Sequence, residues 1–516
     1  MKKVLEKINQ PVFIWTGITV LMLLAIFGHF YLLGLRPAHH DEGMLAYFAW
    51  KLSSEGSYTY TPQIHSPILF YVQAFMFKLF GAGQSTLRVG PAIFGIFLVA
   101  IPLFFRKQLK VAPAVLLSIL LLLSPIMLYF TRFLVHTSMV VVFWLLVVLC
   151  LKWFYDRPGM LSLHLAALFL SLAFGTSESS YIFITSVILF VPILFVFSRK
   201  KFNSWWKKTK DYFMDDPYQL LSAFLLFVTS WIIIYSVGAT NWQSLQTSFP
   251  NPFSTSTGLG FWLAQHPNNL GGQPWFYYLL LVLIYEPAIL IADIFAIISL
   301  RVNKSTFYIF AVWWTVSSLV AYSYAGEKFP WLTLCPLVAM ILLAAIYIGE
   351  NFSKFITISK VVFIVLIAFG AFNSLRVNFL HPSDTKELLT YVQTPDVFQS
   401  KINEINKTCG ETKDCVAIDQ SISWPMSWSF KRSSYLFYSE GDNKFENTKF
   451  IILSMDRATQ FKEPDKFKKE TIKLRDWWVP DRCKEACAQK YLNYFLFRDT
   501  YNLKGGYDVY LYQRID

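Results

Sequence analysis

Long apolar runs recur through the first three quarters of the chain. The first run, 12–35, follows three lysines; it is too long for a signal-peptide core and has no small-x-small cleavage site. Ten further runs can each cross a bilayer: 87–105, 111–130, 138–155, 160–177, 181–198, 218–238, 275–299, 305–323, 331–348 and 357–376. The pattern predicts an uncleaved first helix and an α-helical polytopic bundle of about eleven spans.

Basic side chains fall in alternate connections between these runs. Because Lys and Arg accumulate in cytoplasmic loops, they predict a protein of the inner (plasma) membrane with a cytoplasmic N-terminus. The outer segments are then 36–86, 131–137, 176–180, 239–274, 324–330 and everything after residue 376. The residues concerned are Arg106, Lys107, Lys110, Lys152, Arg157, Arg199, Lys200, Lys201, Lys207, Lys208, Lys210, Arg301, Lys304, Lys354 and Lys360.

The pattern divides the chain into two predicted domains. Residues 1–376 form the transmembrane core, whose outer loop 36–86 contains an apolar run, 67–80, that is too short to span and is expected in the membrane interface. Residues 377–516 are richer in charge, and alternating stretches at 449–453 and 507–511 are typical of strands. We expect a small soluble extracytoplasmic α+β domain there.

Composition agrees with a membrane protein. Only 15% of the 516 residues are charged and 55% are hydrophobic, whereas soluble domains carry about 25% charged residues. The formal net charge of +13 is accounted for by cytoplasmic loops and anionic lipid, so nucleic acid is not an expected partner.

Four of the six cysteines lie in the polar tail: Cys409, Cys415, Cys483 and Cys487. An even set confined to one domain predicts two disulfides in an oxidising compartment, with the connectivity open. A zinc site is the alternative, although Cys-x5-Cys with Cys-x3-Cys is not a familiar zinc spacing.

The first candidate for chemistry is the acidic pair Asp41 and Glu42, which follows His39 and His40 just outside the first span. Neighbouring carboxylates beside a membrane are costly to keep ionised, and this suits one of them to general-base work. His65 lies in the same outer loop and is a candidate to converge on Asp41 and Glu42, that is, to lie close to them in the folded chain. The alternative is that Asp41 simply caps the next helix.

Other ionisable residues also gather at the outer ends of spans. Lys328 is a candidate phosphate ligand with Glu327 fixing its position, although the two also suit a solvated turn. Glu178 stands at a helix junction, and Arg132 and Arg88 add cations. A substrate whose phosphate lies at headgroup level, with its lipid tail in the bilayer, would require such an arrangement.

The order of these segments resembles the lipid-carrier-dependent GT-C glycosyltransferases, namely the protein O-mannosyltransferases and the aminoarabinose transferase of lipid A. The resemblance covers about residues 10–350 and is closest to a bacterial and archaeal subgroup labelled flippase-activity-associated. The segments that carry it are 39–43, 65–67, 88–95, 129–133, 274–278, 285–287 and 324–331.

The resemblance implies a GT-C membrane core that moves a sugar from a polyprenyl-phosphate carrier to a glycan, lipid or protein acceptor with inversion. By position Asp41 is the catalytic base and Glu42 a catalytic neighbour that would bind the acceptor or tune Asp41, while Lys328, Arg132 and Arg88 would bind the carrier phosphate. His40, His65, Glu178 and Glu327 would support them; the subgroup usually has a basic residue where this chain has Ser177. No cofactor is required, although some relatives bind a divalent metal, for which His65 and Glu178 are the candidate ligands.

Two other classes of protein stay open. A transporter or flippase would place ionisable groups at mid-span and break its helices; Glu286 and Asp293 are the main acidic residues within a predicted span. A flippase-associated assembly protein for lipid-linked glycans would use the bundle as an anchor and the tail to bind a partner.

Overall fold

The computed structural model describes residues 11–300, 304–437, 448–459, 461, 464–480 and 485–515. Arg301 and Cys483 lie outside these residues. The chain separates into two compact units. The bundle unit comprises residues 1–32, 58–72 and 89–378; the sheet unit comprises 33–57, 73–88 and 379–516. Two segments of the predicted outer loop 36–86 thus belong with the tail.

Helices make up most of the bundle unit. Seven in the described part of the chain are long and apolar enough to cross a membrane: Thr86–Phe104, His136–Asp156, Ser180–Phe197, Tyr218–Tyr235, Thr306–Tyr324, Pro330–Lys354 and Thr357–Leu380. The 18-residue apolar windows of these spans range from 89% buried in Pro330–Lys354 to 17% buried in Thr357–Leu380. The former is a central helix, whereas the latter leaves most of its apolar side chains exposed on the outside of the unit.

Two further predicted runs are helix pairs bent at a short break. Val111–Leu123 meets Pro125–Thr131 at 66°, and Tyr277–Tyr285 meets Pro287–Ile298 at 115°. Proline lacks an N–H and disfavours helical geometry in the residue before it, so Pro125 and Pro287 begin new helices.

The two remaining runs are the shorter apolar helices Trp15–Phe30 and Met160–Phe174. Every one of the predicted runs therefore has a helical counterpart. The prediction of a multi-pass α-helical membrane protein is confirmed.

Shorter helices join these spans. They are Ile68–Phe80, which matches the predicted interfacial run, Arg106–Leu109, Arg199–Asp215, Trp242–Ser248 and Gly258–Gln265. The sheet unit adds helices His40–Glu55, Asp396–Cys409, Met426–Ser429, Met455–Ala458 and Cys487–Phe497. For reference below, α1 is His40–Glu55 and α2 is Arg199–Asp215.

A mixed five-stranded sheet forms the centre of the sheet unit. Its strands are β1 (Val416–Asp419), β2 (Ser434–Phe437), β3 (Phe450–Ser454), β4 (Phe467–Trp477) and β5 (Gly505–Arg514), in the order β2-β1-β3-β5-β4. β1 pairs in parallel with β2 and β3, while β5 pairs antiparallel with β3 and β4. The stretches predicted as strands lie in β3 and β5, which confirms the small α+β domain.

One disulfide of the sheet unit joins Cys409 to Cys415, at the end of a helix and before β1. Cys487 is also disulfide-bonded. Cys150 and Cys335 are buried free thiols in the bundle unit.

A buried ion pair in the sheet unit gives a test of this fold. Arg498 and Glu387 are each 1% exposed, and Arg498 Nε donates to Glu387 Oε2 at 2.9 Å. Removing one partner of a buried pair costs about 3–5 kcal/mol because the other charge stays in a low-dielectric environment. We expect Arg498→Met to lower the thermal unfolding midpoint of the detergent-purified protein markedly.

The control is Arg432→Met. Arg432 pairs with Glu411 on the surface, where such pairs contribute about 0–1 kcal/mol. Equal midpoints for the two variants would contradict a structural role for the buried pair.

Candidate functional site

The turn that contains the acidic pair starts helix α1. His39 is the N-cap: its Nδ1 accepts a hydrogen bond from the backbone N–H of Asp41 at 3.1 Å. The backbone N–H of His39 in turn donates to Glu42 Oε2 at 3.1 Å, which completes a capping box. The cap is therefore His39, and the alternative that Asp41 is the cap is wrong.

Glu42 is fully buried against Arg88. The guanidinium donates from Nε to Glu42 Oε1 at 2.7 Å and from Nη2 to Glu42 Oε2 at 2.6 Å. Its remaining N–H groups point at the carbonyls of Leu33, Arg36 and Pro37. A guanidinium has five donors, and all are used within the protein.

This geometry corrects two predicted roles. Arg88 has no donor left for a carrier phosphate, and the buried Glu42 cannot reach an acceptor. Both residues instead fix the start of helix α1. This contact could not be predicted from the sequence, because Arg88 and Glu42 lie 46 positions apart and a pattern of charges does not indicate which of them are buried.

Asp41 is the accessible member of the acidic pair, with a side chain that is 26% exposed. Its Oδ1 lies 3.2 Å from His40 Nε2, and its Oδ2 lies 3.7 Å from His39 Nδ1. Burial lowers the pKa of His39 and of His40 to about 3. Two neutral imidazoles therefore flank the carboxylate at neutral pH.

Arg475 of β4 is a functional candidate that sequence reasoning missed. Its guanidinium attracts Asp41: burial lowers the pKa of Arg475, and the Asp41 charge opposes that shift. Arg475 Nη2 donates to the Trp424 carbonyl at 3.0 Å, while its buried Nε has no hydrogen-bond partner among the described residues. No local pattern indicated this contact, since more than 430 positions separate Arg475 from Asp41.

The ligand atoms of His39, His40 and Asp41 lie within 4.8 Å of one another, a spacing that a metal ion can bridge. The hydrogen bonds of His39 oppose such a role. Its Nδ1 accepts from Asp41, and its Nε2 donates to the Tyr391 carbonyl at 2.7 Å. With both nitrogens engaged, His39 does not fit as a metal ligand.

Glu178 belongs to the bundle unit and is surrounded by donors. Tyr60 Oη and Ser66 Oγ donate to its Oε1 at 2.7 and 3.1 Å, and His65 Nδ1 donates to its Oε2 at 3.0 Å. The residue that His65 contacts within the bundle unit is therefore Glu178, while its predicted approach to the acidic pair stays a prediction. The metal role suggested for His65 and Glu178 stays a prediction: a carboxylate offers about four lone-pair sites, and three hydrogen bonds are made to Glu178.

A cavity of about 470 Å³ opens beside this network. The His65 ring packs against His136, with centroids 3.6 Å apart, and stacks on Trp262 at 4.9 Å. Polar and aromatic groups of other segments complete the lining; they include His266, Tyr322 and Glu327. Sequence reasoning did not identify Trp262, which lines the cavity, or Tyr60, which bonds to Glu178.

The other two predicted phosphate-binding cations, Lys328 and Arg132, belong to the bundle unit and are buried. Lys328 Nζ donates to the Ala325 carbonyl at 2.5 Å, and burial lowers the pKa of Lys328. Arg132 donates to the carbonyls of Gly28 and Leu32. Neither residue lines the cavity described above, although Glu327, the neighbour of Lys328, does.

Comparisons with known proteins agree with the described fold. Residues 64–237 match the family model described as dolichyl-phosphate-mannose-protein mannosyltransferase. Among curated proteins, no sequence matches this chain.

Solved structures cover much more of the chain. ArnT from Cupriavidus metallidurans, bound to undecaprenyl phosphate, is 13% identical with a TM-score of 0.61, covering 86% of this chain and 94% of that one. The archaeal oligosaccharyltransferase AglB from Archaeoglobus fulgidus, in complex with an inhibitory peptide and a dolichol-phosphate, is 10% identical with a TM-score of 0.51. That match covers 86% of this chain and 69% of AglB.

Residues 64–237 thus match this mannosyltransferase model, and the chain shares the fold of ArnT and AglB. The resemblance inferred from the sequence is thereby confirmed.

The cap at His39 gives a pH prediction. The pKa of His39 is about 3 in the fold against an ordinary value of 6.5, so the unfolded chain binds the proton more tightly. Stability from neutral His39 is complete above pH 6.5 and falls as the pH drops towards 3, by at most about 1.4 kcal/mol per pH unit. We expect His39→Asn, which keeps a capping side chain, to lose less thermal stability than the parent between pH 7 and 4.5.

His40 titrates in the same direction, so the variant should reduce the acid sensitivity without abolishing it. His381→Asn changes an exposed histidine and should follow the parent protein. An H39N profile that matches the parent would refute the role of His39.

Proposed function

We propose that this protein is a membrane glycosyltransferase that moves a sugar from a polyprenyl-phosphate carrier to an extracytoplasmic acceptor. The GT-C fold supports the class of reaction, and two structures that share it contain undecaprenyl phosphate or dolichol-phosphate. In this proposal the acceptor is a glycan, a lipid or a protein hydroxyl. The protein resides in the inner membrane, and its sheet unit lies outside the cytoplasm.

The observation that carries the proposed mechanism is that the two adjacent carboxylates lie in different environments. Glu42 is neutralised by Arg88 in the interior, while Asp41 stays accessible at the start of α1. Asp41 takes the proton of the acceptor hydroxyl as that oxygen attacks the anomeric carbon. The bond from this carbon to the phosphate oxygen breaks, and the polyprenyl phosphate leaves with the electron pair. One well-placed base suffices for such an inverting transfer.

The leaving phosphate requires cations. Lys328 and Arg132 stay candidates, and of the two Lys328 is better suited. Because burial lowers the pKa of Lys328, an anionic phosphate that approached its ammonium would favour the charged form. Binding would also replace its present contact with the Ala325 carbonyl.

One observation favours a second candidate function, the movement of a lipid-linked glycan across the membrane. Glu286 stands at the 115° break between two helices, where it accepts hydrogen bonds from Ser124 Oγ and Ile126 N–H. Asp293 is buried in the second helix, and neither carboxylate oxygen has a hydrogen-bond partner within the described ranges. Broken helices with buried acids are typical of transporters. Substrate movement without a new glycosidic bond would decide for this function.

The role of Asp41 is tested by Asp41→Asn. Loss of a general base lowers the rate of transfer by about 10²–10⁴-fold, while the amide keeps the shape of the side chain. Cells that lack the gene would be complemented with each variant, and their glycolipids and glycoproteins compared by mass spectrometry. We expect D41N to insert normally and fail to restore the missing glycan.

Glu55→Gln is the matched control, because Glu55 is exposed at the other end of α1. It should restore the glycan fully. Full restoration by D41N would remove Asp41 from the mechanism.

The phosphate site is tested by Lys328→Gln. A hydrogen bond to a charged group contributes about 1.5–3 kcal/mol, so the dissociation constant for undecaprenyl phosphate should rise by roughly 10- to 100-fold. The exposed Lys354→Gln provides the control. Unchanged binding to K328Q would move the site to other cations, and Arg132→Gln would then be measured.

A further inference from the structure

Helix α2 is strongly amphipathic. Six of its side chains are basic and two are acidic, and Lys200, Lys207 and Lys210 are exposed. The opposite stripe includes Trp205, Tyr212 and Phe213, which are partly buried. A basic helix with an aromatic stripe is typical of segments that lie along an anionic membrane surface.

An apolar cavity of about 300 Å³ lies beneath this stripe. Trp205 and Phe213 of α2 form part of its wall, and aliphatic and aromatic side chains of the neighbouring spans form the rest. Lys152 is the one charged side chain among its described lining residues. This composition, apolar walls with one charged group and the hydroxyls of Tyr155 and Thr306, is typical of ligand sites.

Two lysines of α2 fasten the helix beside the cavity. Lys208 Nζ donates to the carbonyls of Tyr155 and Asp156, at the end of the span His136–Asp156. Lys201 donates to the carbonyl of Lys304. The cavity is therefore bordered by a helix held on both flanks, rather than by a loosely placed loop.

We propose that this cavity binds one acyl chain of an anionic phospholipid. The slender apolar chain enters beside Trp205, and the phosphate headgroup lies against the exposed lysines of α2. Charge decides between phospholipids: α2 is net positive, so a phosphatidylglycerol headgroup is attracted where zwitterionic phosphatidylcholine is not. Lys152 contributes less, because it already forms an ion pair with Asp156.

The polyprenyl chain of the carrier is the rival occupant. The cavity is separate from the one beside His65 and Glu178, with which it shares no lining residue. The proposed phospholipid site does not depend on the proposed glycosyl transfer.

The test uses the full-length protein reconstituted in vesicles of equimolar phosphatidylglycerol and phosphatidylcholine. Native mass spectrometry after gentle detergent extraction counts the lipids retained by each protein. We expect the parent to retain one phosphatidylglycerol. Val187→Phe, which fills the cavity, should lower that retention about tenfold, whereas Ile188→Phe on the exposed side of the same helix should not.

Leu163→Phe and its exposed neighbour Leu161→Phe form a second matched pair, should V187F fail to fold. Lys207→Glu should lower the preference for phosphatidylglycerol over phosphatidylcholine. Equal retention of both lipids by the parent, unchanged retention in both cavity-filling variants, or displacement by an equimolar amount of undecaprenyl phosphate would each overturn the proposal.

Discussion

The buried contact between Arg88 and Glu42 is the constraint on which the candidate catalytic turn depends. Each carboxylate oxygen of Glu42 receives a guanidinium N–H, and Glu42 Oε2 also caps the backbone at His39. A buried charge without its partner is strongly destabilising, so the two side chains hold each other in place. Helix α1 therefore begins at a fixed residue and in a fixed direction.

This constraint gives the two adjacent carboxylates different chemistry. Successive helical residues point about 100° apart, so burying Glu42 turns Asp41 towards the accessible side. The partial positive charge of the helix N-terminus favours an anion at Asp41, and neutral His40 does not cancel that anion. A general base must be accessible to its substrate, and of this pair only Asp41 meets that condition.

Hydropathy predicted the spans because a helix that crosses lipid needs a long run of predominantly apolar residues. Even the breaks at Pro125 and Pro287 had a local signal in proline, although the angles did not. The burial of individual charged side chains could not be predicted in this way. Arg88 looked like a free cation at the end of a span, yet the chain folds five acceptors around it. Arg475 had no signal, because its position beside Asp41 arises from packing between segments far apart in sequence.

The boundary drawn from the sequence at residue 376 separated the outer loop from the tail, whereas the folded chain joins them. Helix α1 packs so closely on the tail that a Cβ added at Gly43 would lie 2.6 Å from Pro425 Cβ. Backbone carbonyls on both sides also accept side-chain hydrogen bonds. The bonds run from Gln393 to Pro37, from Thr394 to Ala38, and from His39 to Tyr391. These contacts hold the residues immediately before Asp41 against the tail, so the tail helps to determine the position of the proposed base within the sheet unit.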